Sequence, residues 1–453
     1  MKFVPAPSRR TLRCIAAVAL SGGIALPGHA QLGLPSLPSV PNVPTLPRPR
    51  LPPPAQVVPP LQRAQVPVTD LVRMRQQRIA EMLRQRSDLL EPDPAGQPLV
   101  RGELVLSSPS DTLLAAARGD GFTVVRERTL DALDLQLVTL RAPAGWNTAR
   151  ALQRLRELDP QAAVDYNHLY LESGETVPLP RASVVRGAPA AAVRTTGAFK
   201  VGLIDSGVET DHPLLANASI RAWGCGGRKI PTAHGTAVAS LLVGRGEHFR
   251  AAAPSATLYA ADVYCADPIG GSIEAVAAAL AWLIGEQVRV VNISLVGPAN
   301  RTLQQVVQRA GARGVLLVAA VGNDGPAAAP LYPAAYPEVV AVTAADARGR
   351  ALPEAGRGPH VAFAAPGSEM AVAGLGAAPY ASARGTSFAS PLVAGLLAAA
   401  MHASGDTSAK PVVAALARQA FDLGNPGRDT VYGHGLVARD LRSDLTRLNA
   451  NAR

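Results

Sequence analysis

The chain has 453 residues, a formal net charge of +10 and 48% hydrophobic residues. That length exceeds one ordinary domain, and the apolar content is ample for a core, so a wholly disordered chain is excluded. Residues 1–100 hold 12 Lys/Arg against 5 Asp/Glu, so the rest is near balance and no nucleic-acid footprint is expected there.

Residues 1–30 predict an export signal. Lys2, Arg9, Arg10 and Arg13 form a basic region, residues 14–26 are apolar and small, and Gly28-His29-Ala30 offers a cleavage site. The apolar run is too short for a membrane span, and a secreted or periplasmic product is expected. Residues 31–67 carry 12 prolines in 37 positions, largely as Leu/Val-Pro-polar triplets. Such a segment is a stiff polyproline spacer, or a docking stripe for a partner with Leu and Val along one edge. Residues 68–94 are expected to contain a basic amphipathic helix entered through Thr69. Ile79, Met82, Leu83 and Leu90 share a face, and Arg73, Arg75, Arg78, Arg84 and Arg86 cover the others. A solvated basic face and a contact with anionic lipid are the two readings of it.

Residues 95–171 predict a small α+β domain. Strands are expected at 99–106, 122–126, 133–140 and 162–169, and helices at 111–118 and 146–158. This β-α-β-β-α-β order is the ferredoxin-like pattern. Residues 172–198 are expected to be a linker with a processing site, 199–443 the main domain and 444–453 a tail.

Four motifs in the main domain carry chemistry. The apolar run 199–204 ends in Asp205-Ser206-Gly207, which puts Asp205 at the carboxyl edge of a buried strand. His234-Gly235-Thr236 opens an Ala/Leu/Val-rich helix. A second buried run, 315–321, ends in Gly322-Asn323-Asp324-Gly325. Finally, Gly385-Thr386-Ser387-Phe388-Ala389-Ser390-Pro391 leads into an apolar helix, with Pro391 in or just past its first turn. A serine needs a base to take its proton and a third group to hold that base. Asp205, His234 and Ser387, with Asn323 as an oxyanion donor, supply one residue for each task.

In this order, at separations of 29, 89 and 64 residues, the motifs resemble those of the subtilisin-like serine peptidases, or subtilases (peptidase family S8). The resemblance covers about residues 199–440. It implies an α/β fold: a subtilisin-like three-layer α/β/α domain with a mainly parallel sheet, preceded here by the small ferredoxin-like α+β unit. That unit resembles the propeptide of the family, which assists folding and blocks the site, so the chain's own prodomain is an expected partner in cis. Val164-Asp165-Tyr166-Asn167-His168-Leu169-Tyr170 resembles its last strand. Within the main domain, Asp211-His212-Pro213 also resembles the family, with His212 expected as a turn residue.

Polypeptides are the implied substrates. Ser294-Leu295-Val296-Gly297 stands where the family has Ser-Leu-Gly-Gly, and with Ala320, Gly322 and Leu331 it is expected to bind substrate. Val296 and Leu331 predict a shallow S1 pocket for small residues, unless the loop aligns one residue differently. No cofactor is required by the chemistry; family members often bind structural Ca²⁺, but no acidic loop here marks a site. Cys14 would leave with the signal, so Cys225 and Cys265 are expected either as one disulfide or as two buried thiols. Two functions stay open: an active secreted endopeptidase made as a precursor, or a subtilase-fold binding protein that is silent or cuts only itself.

Overall fold

The structure, a computed structural model, describes residues 68–179, 198–376, 380–405 and 408–443. The expected export signal, Pro-rich spacer and tail lie outside the described residues, as does most of the expected linker.

The N-terminal part begins with helix α1 (Val68–Gln85), strand β1 (Leu90–Pro92) and the long strand β2 (Pro98–Ser107). Helix α2 (Asp111–Gly119) follows, with strands β3 (Thr123–Leu130) and β4 (Leu135–Arg141), helix α3 (Thr148–Leu158) and strand β5 (Ala163–His168). Ser110 Oγ accepts from Leu113 N at the start of α2, and Asn147 Oδ1 accepts from Arg150 N at the start of α3. The antiparallel sheet places β4 between β2 and β3, with β5 on β2. That is the ferredoxin-like order the sequence predicts. Alternation along the strands gives it two apolar faces. Leu104, Leu106, Val138 and Leu140 pack on α2 and α3, while Val105, Leu135 and Leu137 turn toward the main domain.

Two boundaries differ from expectation. The helix expected within 68–94 ends at Gln85, and Leu90 pairs with Val100 in the sheet. Pro92 and Pro94 cannot continue a helix, and Leu90 is buried in strand geometry instead. The expected linker 172–198 also starts as ordered strand: β6 (Leu171–Glu172) and β7 (Glu175–Pro178) both pair with main-domain strands.

The main domain alternates strand and helix. Its elements are β8 (Phe199–Asp205), β9 (Ser219–Trp223), α4 (Ala233–Val243), β10 (Ala256–Asp262), α5 (Ile273–Gly285), β11 (Val290–Ile293) and β12 (Leu295–Val296). There follow α6 (Arg301–Ala312), β13 (Leu316–Ala320), β14 (Val339–Ala345), β15 (Val361–Pro366), β16 (Met370–Ala373), β17 (Tyr380–Arg384), α7 (Thr386–Ser404) and α8 (Ala409–Gln419). Seven strands form one parallel sheet in the order β15-β14-β13-β11-β8-β10-β9. Apart from the half-exposed edge strand β9, its strands are largely buried on both faces and rich in Val, Ile, Leu and Ala, as a covered parallel sheet requires. Helices α4, α7 and α8 pack on one face, and α5 and α6 on the other.

The N-terminal unit docks on α5 and α6. Arg126 Nε donates to Glu274 Oε2 at 2.8 Å, and Thr302 Oγ1 donates to Val105 O at 2.8 Å. Arg301 N donates to Asp165 Oδ2 at 2.9 Å, which sets a carboxylate on the positive end of α6.

Pro391 stands at the sixth residue of α7, beyond the first turn. It has no N–H for the carbonyl four residues earlier, which is Ser387. Ser294 Oγ fills that gap, donating to Ser387 O at 3.1 Å while accepting from Asn292 Nδ2 at 2.8 Å. Ser294→Ala is therefore expected to cost about 1–3 kcal/mol, the penalty of stranding buried polar groups. Urea denaturation measures this; an unchanged midpoint would mean that Ser387 O finds another partner.

Candidate active site

β8 is flanked on both sides in the sheet, and its last residue is Asp205, with no exposed surface. Asp205 Oδ1 accepts from Ser206 N at 2.7 Å and from Ser206 Oγ at 3.1 Å. His234 lies in the first turn of α4, which Thr232 Oγ1 caps by accepting from Gly235 N at 3.2 Å. Gly235 lets this turn close onto the strand end, because a Cβ there would sit 2.2 Å from Ser206 O. His234 Nδ1 then meets Asp205 Oδ1 at 2.8 Å. Asp205 Oδ2 is buried and has no hydrogen-bond partner.

Ser387 is the second residue of α7 and is fully buried. Phe388 beside it tilts against the His234 ring, centroids 5.3 Å apart. Asn323 follows β13, and its Oδ1 accepts from Thr386 N at 3.0 Å, which aims the side-chain amide toward Ser387. The structure thus gathers Asp205, His234, Asn323 and Ser387 from four separate elements. Ser387 Oγ itself donates to Ser294 O at 3.3 Å rather than to His234.

His234 is instead engaged by the chain's own N-terminal unit. β6 pairs antiparallel with β12, Leu171 opposite Val296 and Glu172 opposite Leu295. One step further, this register sets Ser173 opposite Ser294. His234 Nε2 lies 3.4 Å from Ser173 O, and Asn323 Nδ2 donates to Ser173 Oγ at 2.6 Å. Upstream, Tyr170 N donates to Gly271 O at 2.8 Å, and the Tyr170 side chain is fully buried against Gly297. Downstream, β7 pairs with β17. Gly174 lies between β6 and β7 with φ +130°, and a Cβ there would sit 2.7 Å from the Phe388 ring. No other residue type fits that place without displacing Phe388.

The remaining expected residues line the same groove. Leu295 and Val296 are buried in β12, and Gly297 pairs with Tyr332. Ala320 closes β13, and the Leu331 side chain fills the space over Gly322. Cys225 and Cys265 form a disulfide with Cα atoms 5.0 Å apart. It ties the turn before α4 to the loop after β10. His212 is a buried turn residue whose Nδ1 accepts from Leu214 N. Among the described residues, the close groupings of His, Cys, Asp and Glu are that disulfide with Asp262, and Glu172 with Asp205 and His234. Neither is the all-oxygen set that Ca²⁺ takes.

Electrostatics follow from burial and from Glu172. Burial disfavours the His234 imidazolium, but the Asp205 carboxylate, its hydrogen bond and Glu172 outweigh it, and the pKa is pushed up to about 9. Glu172 is exposed as a residue, but the protein crowding its carboxyl raises the pKa, and His234 opposes that shift. The ligand atoms of Glu172, Asp205 and His234 lie within 4.8 Å of one another. Sequence reasoning placed Tyr170 only in the stretch that resembles the last strand of the small domain, and missed Glu172, Ser173 and Gly174. The signal available was their position directly after the last strand of the small domain.

The model of the subtilase family matches residues 196–435. Subtilisin E of Bacillus subtilis is 30% identical over 312 residues, which is 67% of this chain and 80% of that one. M-protease of Shouchella clausii is 35% identical over 299 residues, 62% of this chain and 74% of its own. The minor extracellular protease Epr of Bacillus subtilis is 32% identical over 244 residues, 53% of this chain and only 37% of its own length. The solved structure of fervidolysin from Fervidobacterium pennivorans, a keratinolytic enzyme related to subtilisin, shares the fold with a TM-score of 0.62 at 20% identity. That match covers 76% of this chain and 61% of fervidolysin. With the family's model spanning more than half its residues and its motifs converging on one groove, this chain belongs to the subtilase family of serine peptidases.

Proposed function

We propose that this chain is the precursor of a secreted serine endopeptidase that cuts its own Ser173–Gly174 bond. The carrying observation is the Ser173 carbonyl, 3.4 Å from His234 Nε2 on a strand held in register by β12. Ser387 Oγ attacks the Ser173 carbonyl carbon and passes its proton to His234 Nε2. Asp205 holds the imidazole and stabilises its charge. The Asn323 amide and the Ser387 N–H at the start of α7 receive the oxyanion. The C–N bond to Gly174 then breaks, and His234 returns the proton to the leaving amine. Water hydrolyses the acyl-enzyme, leaving a carboxylate on Ser173 and a free Ser387.

The resting arrangement is latent rather than poised. The Ser173 side chain takes the Asn323 amide that the carbonyl must occupy. A charged His234 donates on both nitrogens and cannot accept a proton. Small residues suit the site at the acyl position: Ser173 itself is small, and Val296 and Leu331 narrow the groove. Export is supported by the basic and apolar start of the sequence and by the extracellular relative. The N-terminal unit is then a prodomain acting in cis, and other polypeptides are the later substrates.

Three outcomes are expected. First, secreted wild-type protein should label with a fluorophosphonate and yield a new N-terminus at Gly174. Ser387→Ala should stay full length, with catalysis lower by about 10⁶-fold. A wild-type chain that stays intact and unlabelled would favour a silent binding protein instead, and a cut chain inert toward every added peptide would favour self-processing only.

Second, self-cleavage should speed up as pH rises toward about 9, because the base must be neutral. Glu172→Gln removes one charge that raises the His234 pKa, so the same rise should come at lower pH. The linked stability has the opposite trend: the raised pKa stabilises the folded chain below pH of about 6.5 and is lost as pH passes the folded value. A pH–rate curve unmoved by Glu172→Gln would refute this coupling.

Third, a panel of peptides varied only at the acyl residue should favour Ala and Ser. A preference for Phe or Lys would sink the narrow-pocket reading.

A further inference from the structure

The function proposed above makes no use of α1, the basic helix expected to lie in solvent or on lipid. The structure sets it across the groove instead. Near its middle Arg75 Nε pairs with Asp324 Oδ2 at 3.1 Å, with the two side chains only 11% and 17% exposed. Asp324 adjoins Asn323, whose amide faces Ser173. One residue past its C-terminus Arg86 Nη1 donates to Pro268 O at 2.8 Å, on the loop that precedes α5. Between these anchors Ile79 is buried, and Met82 and Leu83 join a cluster with Leu90, Leu169, Leu171 and Ile269.

Leu171 explains what the helix covers. In strand geometry neighbouring side chains alternate. Tyr170 points into the main domain and Glu172 toward His234, so Leu171 points outward, onto the cluster of Leu90, Val100 and Leu169 against which Met82 and Leu83 of α1 also pack. The strand beneath is short: β6 and β12 pair over two residues each. A ladder of that length is marginal by itself. The docking of the N-terminal unit on α5 and α6 is a separate contact, formed by Arg126, Val105 and Asp165. On its inner side the segment is held by the buried Tyr170 side chain, by Tyr264 Oη donating to Tyr170 O at 2.8 Å and by Asn323 donating to Ser173 Oγ; α1 adds a contact on the outer side, over Leu169.

We propose that α1 is a strap that holds residues 169–173 in the groove, so that cutting the chain does not by itself open the site. It rests on the self-cleavage reading for its consequence but not for its geometry. After cleavage the new carboxylate of Ser173 stays beside His234 as long as α1 spans from Asp324 to Pro268. Release of α1 is then a second step of activation, distinct from bond cleavage.

Hydrogen exchange in the full-length Ser387→Ala chain tests the strap without any need for catalysis. Adding Arg75→Ala and Arg86→Ala should speed amide exchange of residues 169–173 by about tenfold or more, with the strands of the docked unit unchanged. Met82→Asp should do the same through the apolar contact. Arg84→Ala is the control, because Arg84 is an exposed residue paired with Glu81 on the outer side. Exchange at 169–173 that matches the parent in both strap variants overturns the proposal. In the active chain, the cleaved complex carrying Arg75→Ala and Arg86→Ala should hydrolyse a short fluorogenic peptide faster than the cleaved wild-type complex. Equal rates would also overturn it. Failure of the catalytic reading shows differently, as a wild-type chain that never cuts while the exchange result stands.

Discussion

The antiparallel pairing of β6 with β12 is the contact on which the rest of this molecule turns. It involves four residues, yet it sets Ser173 beside His234 and Asn323. A slip of one residue would point Glu172 outward and Leu171 at His234, because side chains alternate along a strand. The sheet, the helices and the docked N-terminal unit all serve to hold that register. The parallel sheet brings Asp205 and the turn after β13 to one edge, α4 and α7 aim His234 and Ser387 at that edge, and α5 and α6 carry the unit that delivers the strand.

Much of this was legible in the sequence, for reasons that differ by element. Asp205, His234, Asn323 and Ser387 sit where strands end or helices begin, and their turn residues announce those positions locally. The small domain was legible because its strands and helices differ in period. What the sequence hid were relations between distant segments. The fate of 172–178 depended on pairing with β12 and β17, more than a hundred residues away, and a strand of two residues carries no period of its own. The end of α1 was misplaced because Leu90 suits a helical face as well as it suits β1. The Arg residues of α1 read as a solvated charge cluster, and only the fold reveals that Asp324 waits for one of them.

Charge acts in the closed groove beside the apolar burial of Tyr170, Leu295 and Val296. Three ionisable groups, Glu172, Asp205 and His234, share one small space, and the positive one is stabilised by the other two. Glu172 belongs to the N-terminal unit and the other two to the main domain. The blocking segment thus acts on the chemistry of the groove as well as on access to it. It biases the imidazole toward the charged form, which a base must leave before it can work.

Ser294 has a consequence beyond stability. It immediately precedes β12, the strand that pairs with β6, yet its hydroxyl replaces the hydrogen bond that Pro391 denies to Ser387. The groove strand and the first turn of α7 therefore share one joint. Drift in specificity has little freedom at this position, since a change made to suit a new substrate would loosen the helix turn bearing the nucleophile. Val296 and Leu331 carry no such duty among the described hydrogen bonds of their side chains. Diversification of this groove over evolutionary time is expected to pass through those two residues and to leave residue 294 a serine.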